Sequence, residues 1–500
     1  MSAPGASGRG AGLRPWHWQP RLSSEGRQLP VFLQIARSII GDIRDGRLKP
    51  GDPLPGSRTL AHSLGVHRNT VLAGYRELAA EGWVRTELAG GTFVAEVLPR
   101  REPPGRRRPA SFPRGPGYAV ASPAPYEPVL SFPPGTLVLA KGTPDVRLLP
   151  TVELARAYRR AVLRHGRELL AYGDPRGHPR LRAALASMLS SARGITVSPD
   201  CVFVARGSQM GLTLLARALL EPGDGVAVEA LGHPNVWSAL RLAGGRLLPV
   251  AMDDGGLSVD ALEALADREA IRAVYVTPHH QFPTTTVMPA HRRQALIDFA
   301  VRRRIAIIED DYDHEFHYSG RPVLPLASHD PEGVVLYVGT LSKILAPGLR
   351  IGFVVAPPAV IERMLSLRVA TDIQGDLAVE CAVAALFESG ELGRHVRRMR
   401  RAYHARRDAL VEALARELPG ALSFNVPSGG MALWAAVAPG LDVEAWARAA
   451  GSLGVGFRGA RLYGLDGGYL PFTRLGFTGH DEQELAEAAR RMATALAQTR

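Results

Sequence analysis

The sequence predicts an α/β protein in which a mostly parallel sheet follows a small helical module and precedes a smaller α+β subdomain. After Val129, short β-branched segments alternate with longer helical patterns, which is typical of βα units and of a sheet with helices on both faces. Before that point, residues 30–97 hold three short helical patterns and a β ending. From about Arg394, a long basic helix leads into an α+β pattern, which predicts the C-terminal subdomain.

The composition is that of a globular chain with two or three domains. The 500 residues are 46% hydrophobic and 22% charged, and this length allows a large core without disulfides or metals. The two cysteines, Cys201 and Cys381, lie far apart in sequence, which excludes a disulfide framework and a thiolate zinc site, so we predict no metal. Because we find no run of about 18 apolar residues and no apolar signal-peptide region, we expect a cytoplasmic protein outside the membrane.

The charge balance suggests a polyanionic partner. Sixty basic and 48 acidic residues give a net charge of +12, and the isoelectric point is about 10.1. Only three basic residues are lysines, namely Lys49, Lys141 and Lys343, and the other 57 are arginines. An excess of arginine is typical of a GC-rich genome. A lysine that persists against this bias therefore raises the question of what only an amine can do.

The sequence predicts two segments that lie outside any hydrophobic core. We interpret residues 1–29 as a flexible extension and residues 98–128 as a linker. The linker has nine prolines in 31 residues, with six arginines and two glutamates, and this composition favours a semi-stiff, extended spacer. Its arginines are either solvated or in contact with a DNA backbone.

Residues 30–97 predict a helix-turn-helix with a wing. An amphipathic helix over residues 31–46 is followed by a second helix that Ser57 can cap and that ends at Gly65, and then by a third helix from His67. In such an arrangement the later helix enters the major groove by its N-terminal end. The segment WVRTELAGGTFVAEV then predicts two strands, with glycines allowing the turn. The alternative is an unrelated three-helix cap with solvated polar residues.

This module resembles the winged helix-turn-helix of GntR-type regulators. The matching stretches are GRLKPGDPLPGSRTLAHSLGVHRNTVLAGYRELAAEGWV and GGTFV. Side chains at the start of the third helix can donate hydrogen bonds to phosphates and base edges. The resemblance implies further DNA contacts at the start of the second helix and at the wing tip. The DNA-binding residues expected are Arg58, His67, Arg68, Asn69, Thr70, Gly91 and Thr92.

In the large domain, reactive side chains follow predicted strands. Lys343 lies just beyond a predicted strand, because VVLYV is followed by GTLSK. Asp310 and Tyr312 lie at the end of another predicted strand, RIAIIED. Ligands of open α/β sheets bind at such ends. An amine, an acid and a phenol together suit pyridoxal phosphate, because the amine forms a Schiff base and the acid keeps the pyridine nitrogen protonated.

A phosphate site is predicted beside them. CVFVARGSQMGLTLLAR forms a strand, a turn and a helix, and the helix start with Ser208 can bind an anion. Thr340 and Arg350 flank Lys343 and can complete this site. Each residue also has an ordinary alternative, as a surface lysine or a helix-capping side chain.

Residues from about 129 to 500 resemble fold-type-I aminotransferases. The stretches are YGDPRGHPRLRAALASML, ARGSQMGLTLLARALLEPGD, TPHHQFPTTTVMP, IIEDDYDHEF and GTLSKILAPGLRIGFVVAP. The resemblance puts Lys343 on the Schiff-base lysine and Arg474 of TRLGF on the arginine that binds the substrate carboxylate. It puts the following on the ring- and phosphate-binding positions: Asp310, Tyr312, Gln281, Ser208, Gln209, Thr340 and Arg350. His233 lies where a stacking aromatic, commonly tyrosine, is usual, and an imidazole there titrates near neutral pH.

A GntR-type winged helix, a linker and an aminotransferase-like domain in this order resemble the MocR/GabR family of bacterial regulators. The resemblance implies a regulator that holds pyridoxal phosphate on Lys343, senses an amine or amino acid, and binds a double-stranded operator in the nucleoid as a head-to-tail homodimer. Two alternatives stay open. One is a working aminotransferase with an appended DNA module, or a regulator with slow half-transamination. The other is a direct sensor of pyridoxal phosphate.

Overall fold

The computed structural model describes residues 29–87, 91–99, 117–120, 132–320 and 323–499. The predicted extension falls outside these residues except for Leu29, and so does most of the predicted linker. The chain divides into two compact units, Met1–Ser122 and Pro123–Arg500, and each is described by itself. In the described residues no helix combines the length and the apolar character that a membrane span requires.

The first unit is a three-helix module with a two-stranded wing. Its elements are α1 Val31–Arg44, α2 Ser57–Leu64, α3 Arg68–Ala80, β1 Val84–Glu87 and β2 Gly91–Val94. The wing strands are antiparallel, and α1 and α2 each pack on α3 around an apolar core that includes Ile35, Ile39, Leu60 and Val71. Ser57 is not the N-cap of α2, because the helix already includes it and Gly56 takes the cap position.

The second unit is built on a seven-stranded sheet of order β4-β12-β11-β10-β9-β5-β6. All strand pairs are parallel except those of β12, which runs antiparallel to both neighbours. The strands of the unit are β3 Leu137–Val138, β4 Val202–Ala205, β5 Gly225–Glu229, β6 Arg246–Val250, β7 Met252–Asp253, β8 Gly256–Leu257, β9 Ile271–Val276, β10 Ala306–Asp311, β11 Val335–Thr340, β12 Gly352–Val355, β13 Leu422–Ser423, β14 Ala432–Val437, β15 Val455–Gly456 and β16 Phe472–Gly476.

Helices cover both faces of this sheet, which explains why most residues of its strands are apolar and buried. They are α4 Thr151–Leu169, α5 Pro179–Arg193, α6 Ser208–Leu219, α7 Pro234–Leu242, α8 Val259–Ala266, α9 Ala290–Arg303, α10 Pro358–Thr371, α11 Leu377–Glu388, α12 Glu391–Glu417, α13 Val443–Ser452 and α14 Glu482–Thr499. Helices α6, α7 and α10 pack on the face that carries Val226 and Val228, and α8 and α9 pack on the face that carries Ala227. The predicted α/β class with a mostly parallel sheet is confirmed.

The C-terminal part of this unit is the smaller α+β subdomain. Strands β13, β14 and β16 form an antiparallel sheet, and the long basic helix predicted from about Arg394 is α12. Its core includes Tyr403 of α12, Trp446 of α13 and Leu485 of α14, all fully buried. This core is continuous with that of α5 and α11, so the subdomain is fixed against the sheet.

Candidate functional site

A cavity of about 400 Å³ lies at the carboxyl ends of β4, β5, β9, β10 and β11. Because parallel strands end at one edge of a sheet, residues that are distant in sequence meet there. Nine of the ten predicted cofactor and effector residues line this cavity: Ser208, Gln209, His233, Asp310, Tyr312, Thr340, Lys343, Arg350 and Arg474.

Lys343 follows β11 by three residues, and its amine points into the cavity. The Nζ atom donates a hydrogen bond to the carbonyl oxygen of Gly142 at 3.0 Å. Burial, with the nearby charge of Arg474, lowers the pKa of Lys343 to about 8, although Asp313 and Asp310 oppose this shift. A larger fraction of the amine is therefore neutral near pH 7, which is the form that attacks a carbonyl carbon.

Asp310 presents an acceptor that has no partner in the described part of the chain. Its Oδ2 accepts a hydrogen bond from the Tyr275 hydroxyl at 2.8 Å, while Oδ1 is buried without one. Burial raises the pKa of Asp310 to about 6, with Asp311 and Asp313 adding to the shift and the Tyr275 bond opposing it. A buried, unsatisfied carboxylate oxygen at a cavity wall fits a ligand N–H donor, such as a protonated ring nitrogen.

Tyr312 and Arg474 are linked beside Asp310. The Tyr312 hydroxyl donates to the carbonyl oxygen of His280 at 2.9 Å and is also hydrogen-bonded by Arg474. Burial raises the pKa of Tyr312 well above its ordinary value, so the phenol stays protonated. Arg474 lies on β16, is 4% exposed, and has its guanidinium carbon 4.7 Å from the centre of the Phe282 ring. A desolvated guanidinium held in this way suits a carboxylate ligand.

The start of α6 forms an anion cradle with the loop before β12. Gly207 has φ +80°, which turns β4 into the helix and exposes the first backbone N–H groups of α6. A Cβ atom on Gly207 would lie 2.5 Å from Nη2 of Arg350, so the guanidinium closes over this turn. Arg350 itself has φ +52°, an unusual backbone conformation for a residue with a side chain. The buried Thr340 lies at the end of β11 in the same wall.

His233 caps α7 and stays neutral. Its Nδ1 accepts the backbone N–H of Asn235 at 3.2 Å, so its proton is on Nε2, and its ring centre lies 4.7 Å from that of Phe282. Burial lowers the pKa of His233 to about 4, and the charges of Lys343, Arg474 and Arg458 act in the same direction. The imidazole is therefore uncharged at neutral pH, contrary to the expectation that it titrates there, and its stacking role stays a prediction.

Gln281 does not line the cavity. Its amide nitrogen donates to the carbonyl oxygens of Leu231 and Phe282, and its amide oxygen accepts from Thr284. The side chain is 1% exposed, so its polar atoms stabilise the loop after β9 and are not presented to a ligand. These contacts within the loop lend no support to the ring contact predicted for Gln281, and Phe282 is the residue of this loop that lines the cavity.

The cavity is also lined by residues that the sequence did not predict for the site, among them Lys141, Tyr275, Phe282 and Arg458. Tyr275 carried a signal, because it is a phenol among the aliphatic residues at the end of β9, Ala273–Val276. Lys141 carried another, because it is one of three lysines in the chain and two of the three line this cavity. In the part of the chain that the structure describes, no group of three or more metal-ligating side chains could hold an ion.

In the first unit, the predicted DNA contacts lie at the start of α3, at the start of α2 and on the wing. Arg58, His67, Arg68 and Asn69 are exposed, and Nε of Arg68 donates to the Ser57 hydroxyl at 3.3 Å, which joins the starts of the two helices. His67 caps α3 by accepting the backbone N–H of Asn69. The other predicted residues are the half-buried Thr70 and Thr92 and the exposed Gly91.

Both units match known families, and whole chains match as well. The profile described as Aminotransferase class I and II matches residues 135–492, and that of Bacterial regulatory proteins, gntR family, matches residues 32–94. The chain is 33% identical to the probable rhizopine catabolism regulatory protein MocR of Rhizobium meliloti over 434 residues, which cover 86% of each protein. It is 31% identical to the HTH-type pyridoxine biosynthesis transcriptional regulator PdxR of Corynebacterium glutamicum, covering 77% of this chain and 79% of that one.

Among solved structures, the second unit resembles aminotransferases. The α-aminoadipate aminotransferase LysN of Thermus thermophilus, complexed with N-(5'-phosphopyridoxyl)-L-leucine, has a TM-score of 0.68 at 31% identity and covers 73% of this chain and 93% of its own. Because profiles match both halves and a regulator matches across them, the chain belongs to the MocR/GabR family of transcriptional regulators, which join a GntR-type winged helix to an aminotransferase domain.

Proposed function

We propose that this regulator holds pyridoxal phosphate on Lys343 and changes its action on DNA when a small amine or amino acid enters the same cavity. Aminotransferases of class I and II, including the structural relatives, depend on this cofactor. The observation that carries the proposal is the buried Oδ1 of Asp310, which has no hydrogen-bond partner among the described residues. A protonated pyridine nitrogen would satisfy it.

The remaining residues fit the rest of the cofactor. The N-terminal N–H groups of α6, together with Ser208, Thr340 and Arg350, would hold the phosphate, and Tyr312 would lie beside the ring oxygen. His233 would lie over the ring as a neutral, flat side chain. Bound pyridoxal phosphate supplies an aldehyde that reacts with amines and a ring that withdraws electrons.

The effector would be recognised by its carboxylate and its amine. Arg474 would bind the carboxylate, and the neutral fraction of the Lys343 amine would accept or return a proton when an effector amine replaces it at the cofactor. The effector can shift the regulator only by the difference between its affinities for two conformations. The winged helices would then change their placement on an operator in the cytoplasm.

A homodimer would present two winged helices to two half-sites, and the second unit has an exposed apolar surface suited to one. Its members are Leu163, Leu170, Tyr172 and Ile373, which are 74%, 77%, 82% and 42% exposed. The side chain of Gln374 joins the two parts of this apolar surface, because it accepts from the N–H of Gly173 and donates to the carbonyl oxygen of Ala171. We infer that a second copy of the chain covers it, in the head-to-tail arrangement of the family.

Two other functions have support. The first is turnover as an aminotransferase, since Lys343 and Arg474 are both present and the chain is 32% identical to the 2-aminoadipate transaminase of Thermus thermophilus over 73% of its length. Sustained turnover on the order of 1 s⁻¹ or more with an amino donor and a keto acid would favour it. The second is a direct sensor of pyridoxal phosphate, for which the similarity to PdxR speaks. In that case the cofactor alone would change operator affinity.

The decisive experiment attaches the cofactor irreversibly to the protein by chemical reduction. We expect borohydride reduction of protein incubated with pyridoxal phosphate to label the peptide that contains Lys343, and Lys343→Ala to lose both the label and the visible absorbance while it still binds DNA. A label that persists in Lys343→Ala would contradict the proposal. Screening amines against the loaded wild type by absorbance and operator affinity then separates an amine sensor from a cofactor sensor.

A further inference from the structure

Tyr275 is a buried phenol that reaches the acid of the candidate site from the neighbouring strand. The residue is 3% exposed, and it belongs to the apolar core that also contains Ala273 and Ile308. In the parallel pair of β9 and β10, Tyr275 lies opposite Ile308. Asp310 lies two residues further along β10 and therefore on the same face of the sheet, where its Oδ2 accepts a hydrogen bond from the Tyr275 hydroxyl at 2.8 Å. A phenol among aliphatic side chains thus brings one hydroxyl group to this carboxylate.

This hydrogen bond decides which oxygen of Asp310 is free. Tyr275 engages Oδ2, whereas Oδ1 is buried with no hydrogen-bond partner among the described residues. Burial, with the nearby charge of Asp310, raises the pKa of Tyr275 well above its ordinary value, so the phenol keeps its proton and stays a donor. The terminal torsion of an aspartate side chain is broad, and a bond that fixes one oxygen therefore also fixes the direction of the other.

The same hydrogen bond opposes the loss of charge that burial causes. Burial raises the pKa of Asp310 to about 6, and the charges of Asp311 and Asp313 act in the same direction. The bond from Tyr275 is the largest influence that lowers this pKa, because a donor stabilises the ionised carboxylate. Without the donor, the carboxyl group would take up a proton at a higher pH. It would then no longer offer an anion to a protonated ring nitrogen.

We propose that Tyr275 is a positioning residue, which directs the free oxygen of Asp310 at the ring nitrogen of the cofactor and keeps this carboxylate ionised, so that the regulator retains pyridoxal phosphate as the pH falls. The proposal rests on the proposed function, because it takes Asp310 as the partner of pyridoxal phosphate. Its consequence is that loss of the Tyr275 hydroxyl weakens cofactor binding mainly at low pH, where Asp310 begins to take up a proton.

The next strand contains a matched control for this contact. Tyr337 on β11 donates to Oδ2 of Asp311 at 2.7 Å, and its hydroxyl group also contacts Arg193. Tyr337 and Asp311 are both buried, and neither is among the described residues that line the cavity. Tyr337→Phe therefore removes a buried hydroxyl group from an aspartate of the same strand, β10, outside the candidate site. Misfolding caused by the loss of such a bond would appear in this variant as well.

Equilibrium dialysis of the full chain against pyridoxal phosphate at pH 5.5 and pH 8.0 tests this role. Relative to the wild type, Tyr275→Phe is expected to bind the cofactor about tenfold more weakly at pH 5.5, because the Asp310 carboxyl group then takes up its proton at a higher pH. At pH 8.0 the loss is expected to be below about threefold. Comparison at one pH cancels the titration of the cofactor phosphate. Tyr337→Phe must bind as the wild type does at both pH values.

Asp310→Asn tests whether Tyr275 acts through this carboxylate. Position 310 no longer titrates in that background, so adding Tyr275→Phe is expected to have the same small effect at both pH values. An equal loss at both pH values in Tyr275→Phe alone, or a larger loss at pH 5.5 in the Asp310→Asn background, overturns the inference. Wild-type protein that binds no pyridoxal phosphate contradicts the proposed function. Protein that binds it equally with and without the Tyr275 hydroxyl contradicts only the role of Tyr275.

Discussion

At the scale of single residues, the cavity controls the charge of each group that the proposed chemistry uses. Burial keeps His233 neutral and Tyr312 protonated, and it raises the share of neutral amine on Lys343. Asp310 differs from these groups, because burial raises the pKa of its carboxyl to about 6. Only a cation at its unsatisfied oxygen would restore full ionisation of this carboxyl. The four shifts have one origin, which is the removal of water from a wall of packed strand ends.

His233 should make stability depend on pH. Its pKa is about 4 in the folded protein and 6.5 ordinarily, so between these values the unfolded chain binds a proton that the folded chain does not. The free energy of unfolding therefore falls as pH drops from 6.5 towards 4, and above 6.5 there is no effect. The free energy of unfolding, measured with urea, should fall between pH 7.5 and pH 5.0. We expect this fall to be smaller in His233→Phe than in the wild type, by at most about 2 kcal/mol. Equal falls in both proteins would contradict this.

At the scale of elements, the anion cradle depends on how closely β12 approaches α6. A Cβ atom on Gly352, the first residue of β12, would lie 2.2 Å from the backbone nitrogen of Ser208 and 2.4 Å from the carbonyl carbon of Gly207. These are backbone atoms, so no side chain can move aside. The strand and the helix start are therefore in contact at the point where the phosphate would bind.

We expect Gly352→Ala to separate these elements, to destabilise the protein by about 3 kcal/mol and to weaken cofactor binding. The matched control is Gly348→Ala in the loop before β12, where an added Cβ atom meets nothing within 4 Å. Thermal unfolding and titration with pyridoxal phosphate, followed by absorbance, measure both effects. If the two variants behave alike, the close approach does not limit the site.

The third helix of the first unit carries a separate prediction. Arg68→Ala removes an exposed cation at the N-terminal end of α3, so we expect operator affinity to fall by about tenfold at fixed salt while cofactor absorbance is unchanged. Arg76→Ala removes an exposed cation two turns further along the same helix and should reduce operator affinity less than Arg68→Ala does. Fluorescence anisotropy measures operator binding. A larger loss of affinity in Arg76→Ala than in Arg68→Ala would contradict the placement of the recognition helix.

The elements were more predictable from the sequence than the contacts within the site. Strand ends followed from β-branched runs, and a strand end is sufficient to locate Lys343 and Asp310. Gln281 could not be placed, because whether its amide faces a ligand or its own loop depends on contacts with Leu231 and Thr284. Arg458 could not be found either, since one arginine among 57 has no local signal and its position depends on the packing of the C-terminal subdomain.

At the scale of the whole molecule, the second unit has a surface that its own described residues do not cover. Leu163 lies on α4 and Leu170 directly follows that helix, with the kink at His165 between them. Tyr172 follows directly, at 82% exposure. Exposed apolar side chains that form one surface indicate a protein interface, whereas single ones do not.

We expect Tyr172→Asp to convert a dimer to a monomer, because a carboxylate at this surface would be buried against apolar side chains of a second copy. Sedimentation velocity over a range of protein concentrations measures the change. Val426→Asp places the same charge on an exposed valine of the loop between β13 and β14 and should leave the dimer intact. A monomer cannot hold two winged helices at a fixed spacing, so Tyr172→Asp should also bind an isolated half-site and a full operator with equal affinity. A variant that stays dimeric would show that the second copy covers another surface.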